Sequence, residues 1–394
     1  MSIKVTNLIL PERDEIGPER IYYWYDADVK VQGVTVVDTT AYGYGAGGTR
    51  MLPDISVVEI AGLARAMTYK WASLDLPIGG AKNGIWADNR ISGKAREAIF
   101  EAYGRHLKNV IGGRILLSTG TDIGTFEEDL NIAFKTAGIN PGEPIMLDGK
   151  SLEFHTTGYG VVMSAEEACR FVGIDFKGAS IACEGFGKVG EAVARYATKD
   201  GAKIVAVSTT AGAIYNKNGL DFDKLLKLRE QFGSNMVKEY KNAKLIAAEE
   251  LYYLPVDILI PGARPNVITS ANVNKIQAKL VVEAANIPVT DDAEEALFKR
   301  GIYSVPDFIA NSGGILQGLI QMVGGDTAQV IFDGVKRSVQ KGTREVLEAS
   351  KANNVNPSKW AKQRAKEKVL EARAQRKVLS SLELRKVIKT QLGL

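Results

Sequence analysis

Ala179-Ser180-Ile181-Ala182-Cys183, followed after one residue by Gly185-Phe186-Gly187-Lys188-Val189-Gly190, decides the fold. The first five residues are apolar or small and read as a buried strand. The six that follow are G-x-G-x-x-G. A helical run over 191–198 comes next, Gly201 ends it, and Lys203-Ile204-Val205-Ala206-Val207-Ser208 is a second strand. A lone G-x-G-x-x-G carries little weight. One placed between a strand and a helix, with a second strand at this distance, is the pattern of a dinucleotide site. Its glycines permit a tight turn and let backbone approach a pyrophosphate, and the helix N-terminus points at it. A purely structural strand-to-helix turn is the alternative.

The alternation continues outward. Further strands are expected at 256–260, 278–282 and 301–305, with helical segments between them, which makes a doubly wound parallel sheet. Asn286 follows the strand that ends in Glu283-Ala284-Ala285, where ligands of such sheets collect. Asp307 and Asn311 lie in Pro306-Asp307-Phe308-Ile309-Ala310-Asn311-Ser312-Gly313-Gly314. Residues 138–152, with Gly138, Pro141, Gly142, Pro144 and Gly149, are the expected linker. From about 326 the chain reads as helix, and the basic run at 362–377 reads as a solvated helix face. The fold class is therefore α/β in two domains.

Before the linker, Tyr42-Gly43-Tyr44-Gly45-Ala46-Gly47-Gly48-Thr49-Arg50-Met51 reads as a loop that bends sharply or lies against a ligand, a plain flexible turn being the alternative. Asp54 and Ser56 offer N-cap oxygens to a helix. Ile60, Leu63, Ala64, Met67 and Trp71 form its apolar stripe, with Lys70 on the flank. Gly79-Gly80-Ala81-Lys82 reads as a second glycine loop carrying a lysine. Helices are expected at 94–110 and 126–137, and Asp122 lies between them in Thr121-Asp122-Ile123-Gly124-Thr125. A desolvated lysine beside another cation becomes a proton carrier near neutral pH, and Lys70 is the candidate neighbour. Two lysines and a carboxylate suit chemistry on a small anionic substrate with an amine to protonate. Alone, Lys70 reads first as a snorkelling side chain at the core edge, and Gly79 and Gly80 beside Lys82 turn the reading toward a site.

Composition narrows the classes. The 394 residues carry a formal charge of +4, are 45% hydrophobic and 24% charged, and include two cysteines, Cys169 and Cys183. These values fit an ordinary globular protein and give no reason to invoke nucleic acid. There is no disulfide framework and no zinc spacing, no signal-peptide pattern at the start, and no apolar run long enough for a bilayer. A cytoplasmic, metal-free protein is the expectation.

Seven motifs in order resemble the glutamate/leucine/phenylalanine/valine dehydrogenase family: Gly47-Gly48-Thr49-Arg50-Met51, Met67-Thr68-Tyr69-Lys70, Gly79-Gly80-Ala81-Lys82, Thr121-Asp122-Ile123-Gly124-Thr125, the 185–190 glycine motif, Glu283-Ala284-Ala285-Asn286 and Ala310-Asn311-Ser312-Gly313-Gly314. The resemblance runs from about residue 31 into the C-terminal helices. It implies reversible oxidative deamination of an L-amino acid to a 2-oxo acid and ammonia, with NAD or NADP. It assigns residues 1–140, completed by helices from about 330 to 394, to substrate binding and oligomerisation, and 150–330 to a Rossmann-type dinucleotide domain. Lys82 and Asp122 match the catalytic pair. Lys70 matches the lysine that binds the α-carboxylate, and Ala46, Gly47, Gly48, Asn311 and Gly318 match the rest of the substrate site. Gly185, Phe186, Gly187, Lys188, Val189, Gly190, Ser208, Thr209, Thr157, Ala263 and Asn286 match the cofactor side. A homo-oligomer, hexameric by the same resemblance, is implied. A non-catalytic nucleotide sensor on the same fold is the alternative, against which the retention of Lys70, Lys82 and Asp122 speaks.

The resemblance also divides by substrate. Glutamate enzymes carry a lysine where this chain has Ala46 and a serine where it has Gly318, both for the distal carboxylate. The stretches 48–51 and 157–161 look more like the leucine and phenylalanine enzymes, whereas 285–311 looks more like the glutamate enzymes. The expectation leans to a hydrophobic side chain. The alternative is a glutamate enzyme in which Arg50 or another basic group takes the carboxylate. At the end of the second strand, Ser208-Thr209-Thr210 holds no acid to bond a ribose. Its hydroxyls are candidates for a 2′-phosphate, with no arginine near in sequence and Lys217 the nearest cation. That leans to NADP or to both cofactors.

Overall fold

The computed structural model describes residues 9–113, 115–140, 142–375 and 379–394. The first residues of the chain, Pro141 of the expected linker and residues 376–377 of the basic run lie outside them. The chain divides into two compact units, Met1–Glu143 with Gln363–Ile388, and Pro144–Lys362 with Lys389–Leu394.

The first unit contains β1 (Arg20–Asp26), β2 (Val31–Val37), β3 (Gly45–Leu52), α1 (Val57–Ser73), β4 (Gly79–Trp86), α2 (Gly93–Gly112), β5 (Leu116–Thr121) and α3 (Glu127–Ala137). Its sheet has the order β1-β2-β4-β3-β5. β3 runs parallel to β4 and β5, while β2 is antiparallel to β1 and β4. The period of two along a strand sorts the faces. Val34 and Val36 pack with Ile55, Ile60 and Ala64 on the α1 side. Val37, Ala81 and Ile85 pack with Phe100, Tyr103, Leu107 and Leu130 of α2 and α3 on the other.

Both glycine-rich segments expected to be loops are strands, β3 and β4. The glycines serve close packing. A Cβ at Gly47 would stand 1.7 Å from Ala81 O, one at Gly79 1.7 Å from Thr39 O, and one at Gly80 2.1 Å from Ala64 O. Helix α1 begins at the N-cap Ser56, whose Oγ accepts from Glu59 N (3.0 Å). Lys70 is buried on it rather than flanking the core.

The second unit opens with a hairpin, β6 (Met146–Leu147) and β7 (Lys150–Ser151), inside the expected linker. It continues with α4 (Glu153–Val172), β8 (Ser180–Cys183), α5 (Lys188–Lys199), β9 (Lys203–Thr209), β10 (Gly212–Tyr215), α6 (Phe222–Phe232), α7 (Met236–Glu239), β11 (Lys244–Ile246), β12 (Ile258–Ile260), β13 (Leu280–Val282), α8 (Asp291–Lys299), β14 (Tyr303–Val305), α9 (Asp307–Ala310), α10 (Gly313–Met322) and α11 (Ala328–Asn353). The sheet order is β11-β10-β9-β8-β12-β13-β14. β9, β8, β12, β13 and β14 are parallel, and the outer β10 and β11 are antiparallel additions. This is a doubly wound sheet with helices on its faces.

The C-terminal chain returns to the first unit at Gln363, later than the expected 330. α11 stays with the second unit because it is bonded to α4: Arg344 Nε donates to Glu167 Oε1 (2.6 Å), and the Ser164 and Thr343 hydroxyls meet at 3.0 Å. Two helices follow, α12 (Pro357–Ala374) and α13 (Ser381–Leu392). Beyond residue 363, Val369 and Ala372 pack with Ile16 and Ala41. The basic run is not a plain solvated face. Lys362 pairs with Asp291, Lys366 with Glu15, Lys368 with Asp75 and Arg373 with Glu19. Among the described residues no helix is long and apolar enough to cross a membrane, and no group of three or more His, Cys, Asp or Glu side chains could hold a metal.

The glycine packing is testable by contrast. Gly80→Ala forces a methyl against Ala64 O and is expected to destabilise the protein by roughly 2–4 kcal/mol. Gly62 lies in the same region, on α1, where a Cβ meets nothing within 4 Å. Gly62→Ala is expected to stabilise by about 0.5–1 kcal/mol. Urea unfolding of the two variants beside the parent chain reads both signs.

Candidate active site

In the first unit the site is built around α1 seated on β3 and β4. Thr68 Oγ accepts from Gly80 N (3.1 Å) and donates to the buried Asp38 Oδ2 (2.5 Å). Trp71 Nε1 donates to Ala46 O (3.0 Å). Lys70 stands between these two anchors on the helix.

Lys82 projects from β4 on the α1 side of the sheet, since its neighbours Ala81 and Asn83 face α2. Its Nζ lies 3.0 Å from Asp122 Oδ2, with the two side chains 8% and 12% exposed. The partner found for Lys82 is thus the Asp122 carboxylate. Gly48 makes room for the pair: a Cβ there would stand 3.1 Å from Lys82 Nζ and 2.9 Å from Thr121 O.

Asp122 leaves the end of β5 in a fixed turn. Its N–H donates to Thr125 Oγ1 (3.0 Å), that hydroxyl donates to Thr49 O (2.8 Å), and Met51 N donates to Ile123 O (2.9 Å). Gly124 is left-handed at φ +82°, and a Cβ there would be 2.0 Å from Met51 O. Arg50 completes the cluster. Its Nε donates to Asp122 Oδ2 (3.0 Å) and its Nη1 to Glu59 Oε1 (2.7 Å). Burial pushes the Asp122 carboxyl up, but the charges of Lys82 and Arg50 outweigh it and hold the carboxyl below its ordinary value.

Behind Lys82, on the α2 side, a buried polar chain braces the same strands. Thr35 Oγ1 donates to Asn83 Oδ1 (2.6 Å), Asn83 Nδ2 donates to Thr119 Oγ1 (3.1 Å), and the Thr49 hydroxyl meets both Thr119 (2.7 Å) and Tyr103 (2.7 Å). His106, 2.8 Å from Thr35 Oγ1, is pushed down to about 4 by burial and stays neutral.

In the second unit the G-x-G-x-x-G turn joins β8 to α5. Gly185 is left-handed (φ +86°), and a Cβ at Gly190 would stand 1.9 Å from Gly185 O. A Cβ at Gly187 would meet nothing within 4 Å, so backbone there is open to a ligand at the start of α5. This helix has no side-chain cap, which leaves its first N–H groups available to an anion. Ala263 leans on the Gly185 turn, its N–H donating to Glu184 Oε2 (3.1 Å). Of the expected cofactor residues, Phe186 is buried in the core, so only its backbone can face a ligand. Lys188 pairs with Glu153 (2.6 Å) and Val189 is half-buried.

The hydroxyls expected to meet a 2′-phosphate are engaged in the fold. Ser208 Oγ accepts from Gly185 N (2.9 Å), and Thr209 Oγ1 donates to Ser234 O (2.6 Å). An arginine does come near in space. Arg229 Nη1 donates to Ser234 Oγ (3.4 Å), which brings a cation to the end of β9 that sequence order hides. Asn311 Nδ2 donates to Asn286 Oδ1 (3.1 Å) and to Ala284 O (3.2 Å), so the two asparagines are one feature. Thr157 stands where a Cβ on Gly314 would come within 2.8 Å of its hydroxyl, and Gly313 lets α10 approach Thr156 O. Gly318 is exposed, with open space where its Cβ would be.

A parallel sheet with an open glycine turn beside an uncapped helix is the architecture of a dinucleotide-binding protein. Residues 149–377 match the sequence profile of glutamate/leucine/phenylalanine/valine dehydrogenase, and residues 24–138 that of the Glu/Leu/Phe/Val dehydrogenase dimerisation domain. An NADP-specific glutamate dehydrogenase of Saccharolobus shibatae is 34% identical over 75% of this chain and 71% of its own length. An NAD-specific glutamate dehydrogenase of Staphylococcus aureus is 34% identical over 88% and 83%. The hetero-hexameric glutamate dehydrogenase of Thermus thermophilus, in a leucine-bound form, superposes with a TM-score of 0.80 at 28% identity, covering 92% of this chain and 91% of that one. The chain belongs to the glutamate/leucine/phenylalanine/valine dehydrogenase family. It is an NAD(P)-dependent amino-acid dehydrogenase, and its first unit carries the family's oligomerisation domain.

The lowered Asp122 carboxyl yields a prediction. A carboxyl depressed in the folded state contributes stability above its unfolded value, about 3.9, and that stability is lost as pH falls through the folded pKa. Lys82→Met leaves burial opposed by Arg50 alone, so Asp122 is expected to titrate higher than in the parent. Carboxyl NMR titration measures the shift, and an unmoved midpoint would show that Lys82 does not hold the carboxylate.

Proposed function

We propose that Lys82 and Asp122 carry the proton transfers of this dehydrogenase and that its substrate has an apolar side chain. The observation that carries the first part is the buried 3.0 Å pair between Lys82 Nζ and Asp122 Oδ2. Deamination requires water to add to a C=N carbon and a proton to reach the departing nitrogen. The Lys82 ammonium polarises the carbonyl or positions the water, and the Asp122 carboxylate shuttles the proton to and from nitrogen. Lys70 binds the α-carboxylate, and the backbone of Gly47 and Gly48 borders the substrate. Gly185, Gly187, the α5 N-terminus, Ala263, Thr157, Asn286 and Asn311 hold the dinucleotide. When bound, that group accepts the hydride from the substrate α-carbon.

The apolar reading is supported by two features. Ala46 and Gly318 offer no charge. Arg50 is held at Nε by Asp122 and at Nη1 by Glu59, so its charge is already compensated within the first unit. A buried distal carboxylate without a partner is costly, whereas desolvating a branched or aromatic group yields roughly 1.5–3 kcal/mol. The second reading is a glutamate dehydrogenase with an unusual pocket, favoured by the substrate named for the 34%-identical relatives. The cofactor lean is to NADP or to both, now resting on Arg229 rather than on Ser208 and Thr209. The enzyme is cytoplasmic and homo-oligomeric, a hexamer by likeness to the Thermus enzyme, which is itself hetero-hexameric.

Two experiments test these statements. Lys82→Ala and Asp122→Asn should each lower kcat by about 10²–10⁴-fold while dinucleotide binding, followed by reduced-nicotinamide fluorescence, stays close to that of the parent. Near-normal turnover removes the assigned roles. For the side chain, 2-oxoglutarate is competed against the oxo acids of leucine, valine and phenylalanine with ammonium and NADH or NADPH. The hydrophobic acids should win, and Ala46→Lys with Gly318→Ser should move preference toward 2-oxoglutarate. A clear win for 2-oxoglutarate in the parent enzyme supports the second reading.

A further inference from the structure

Two cations meet on one oxygen of Asp122. Lys82 Nζ lies 3.0 Å from Oδ2, Arg50 Nε donates to that same atom at 3.0 Å, and neither bonds Oδ1. A carboxylate has two oxygens, each able to accept, so holding it by Oδ2 keeps Oδ1 for a third partner. The turn that carries Asp122 is itself pinned by Thr125 and Thr49. The direction of the carboxylate is therefore set by the backbone and by the cations together.

The two cations differ in freedom. Arg50, on β3 and with its side chain 10% exposed, is bonded at both ends, by Nε to Asp122 and by Nη1 to Glu59 Oε1 (2.7 Å) in the first turn of α1. A guanidinium is planar and keeps its proton at every pH a protein meets. A lysine is a point charge on a flexible stem and can give its proton up. In the proposed reaction the Lys82 ammonium turns to a carbonyl oxygen or a water, and its bond to Oδ2 is then weakened or lost. A buried carboxylate deprived of its partner is strongly destabilised. Arg50 stays in place through that step.

We propose that Arg50, anchored by Glu59, is the positioning residue that holds the Asp122 carboxylate with Oδ1 toward the reacting nitrogen while Lys82 engages the substrate. This rests on the proton role given to Asp122 above. Arg50 acts through Asp122 and not on the substrate. The charged groups facing Asp122 are Lys82 from β4 and Arg50 from β3, with Glu59 of α1 behind Arg50. Burial raises the carboxyl, and those two cations outweigh it and hold the carboxyl below its ordinary value. Without Arg50, burial is opposed by Lys82 alone and the carboxyl titrates higher. A step that needs the carboxylate is lost as pH falls through that value, so its acid limb moves to higher pH.

The test follows oxidative deamination by the full chain from about pH 5 to 9. It uses whichever of L-leucine, L-valine, L-phenylalanine and L-glutamate the parent turns over fastest, with NAD or NADP chosen likewise. Arg50→Met is expected to lower kcat by about 10–100-fold, part of the ~10²–10⁴-fold that an acid–base group supplies, and to move the acid limb up, with the amino-acid KM within about twofold of the parent. Arg50→Lys restores the charge without the two-ended hold, so the limb should return toward the parent while kcat stays low. Full recovery of kcat in Arg50→Lys would show that charge alone suffices and overturns the positioning role. Parental kcat or an unmoved limb in Arg50→Met overturns the proposal, and so does a loss confined to KM, which puts Arg50 on the substrate. Glu59→Ala, at a side chain 41% exposed, keeps both cations on Asp122 and frees the far end of Arg50. It should lower kcat by about three- to tenfold through misplacement of the carboxylate. Parental kcat in Glu59→Ala overturns the proposal even if Arg50→Met does not fold. Asp122→Asn separates the two levels. Near-normal turnover there removes the role of Asp122 and that of Arg50 together, whereas lost turnover beside a parental Arg50→Met overturns the role of Arg50 alone.

Discussion

Helix α1 reaches hydrogen-bonding distance of a sheet, and the first unit's chemistry depends on that approach. Helices ordinarily stand off a sheet by the length of the side chains between them. Here β3 and β4 are largely glycine and alanine where α1 lands, so Thr68 bonds Gly80 N and Trp71 bonds Ala46 O directly. Lys70 and Lys82 are thereby each placed two residues from the same Thr68–Gly80 bond, one on the helix and one on the strand. Buried charges persist only when compensated. The cluster meets this requirement with Lys82 and Arg50 against Asp122 and Glu59.

The second unit uses its glycines differently. Gly185 supplies a left-handed turn, Gly190 a close helix–strand approach, and Gly187 an unobstructed backbone. These are three separate roles within six residues, and only the third makes room for a ligand. The adjoining hydroxyls of Ser208 and Thr209 stabilise the turn and the β9 end rather than offering themselves outward.

Much of this was legible in the sequence because the signals were local. The β8–α5 turn, the α1 stripe and the strands of the parallel sheet follow from periodicity and glycine placement within windows of about ten residues. The misread segments share one cause. The glycines of β3 and β4 resemble loop glycines until one knows that Ala64, Ala81 and Thr39 lie against them. Arg50 is visible in its motif, but its bond to Asp122 is set by a β3–β5 pairing that spans some seventy residues. Arg229 is not legible in the sequence as a neighbour of β9, because it reaches the end of that strand through Ser234 rather than along the chain. The late return at Gln363 depends on α11 matching α4, a complementarity between two amphipathic helices that neither shows alone.

Gly318 differs from the packed glycines in a way that bears on how such enzymes diverge. Enlarging Gly47, Gly79 or Gly80 drives an atom into backbone, so drift at those positions is purged by misfolding whatever its effect on selectivity. At Gly318 a side chain can grow into open space on an exposed helical surface. Under the substrate-side role proposed for Gly318, variation there is filtered by ligand choice and hardly at all by foldability. A lineage can therefore explore new substrates through this position while its architecture stays fixed.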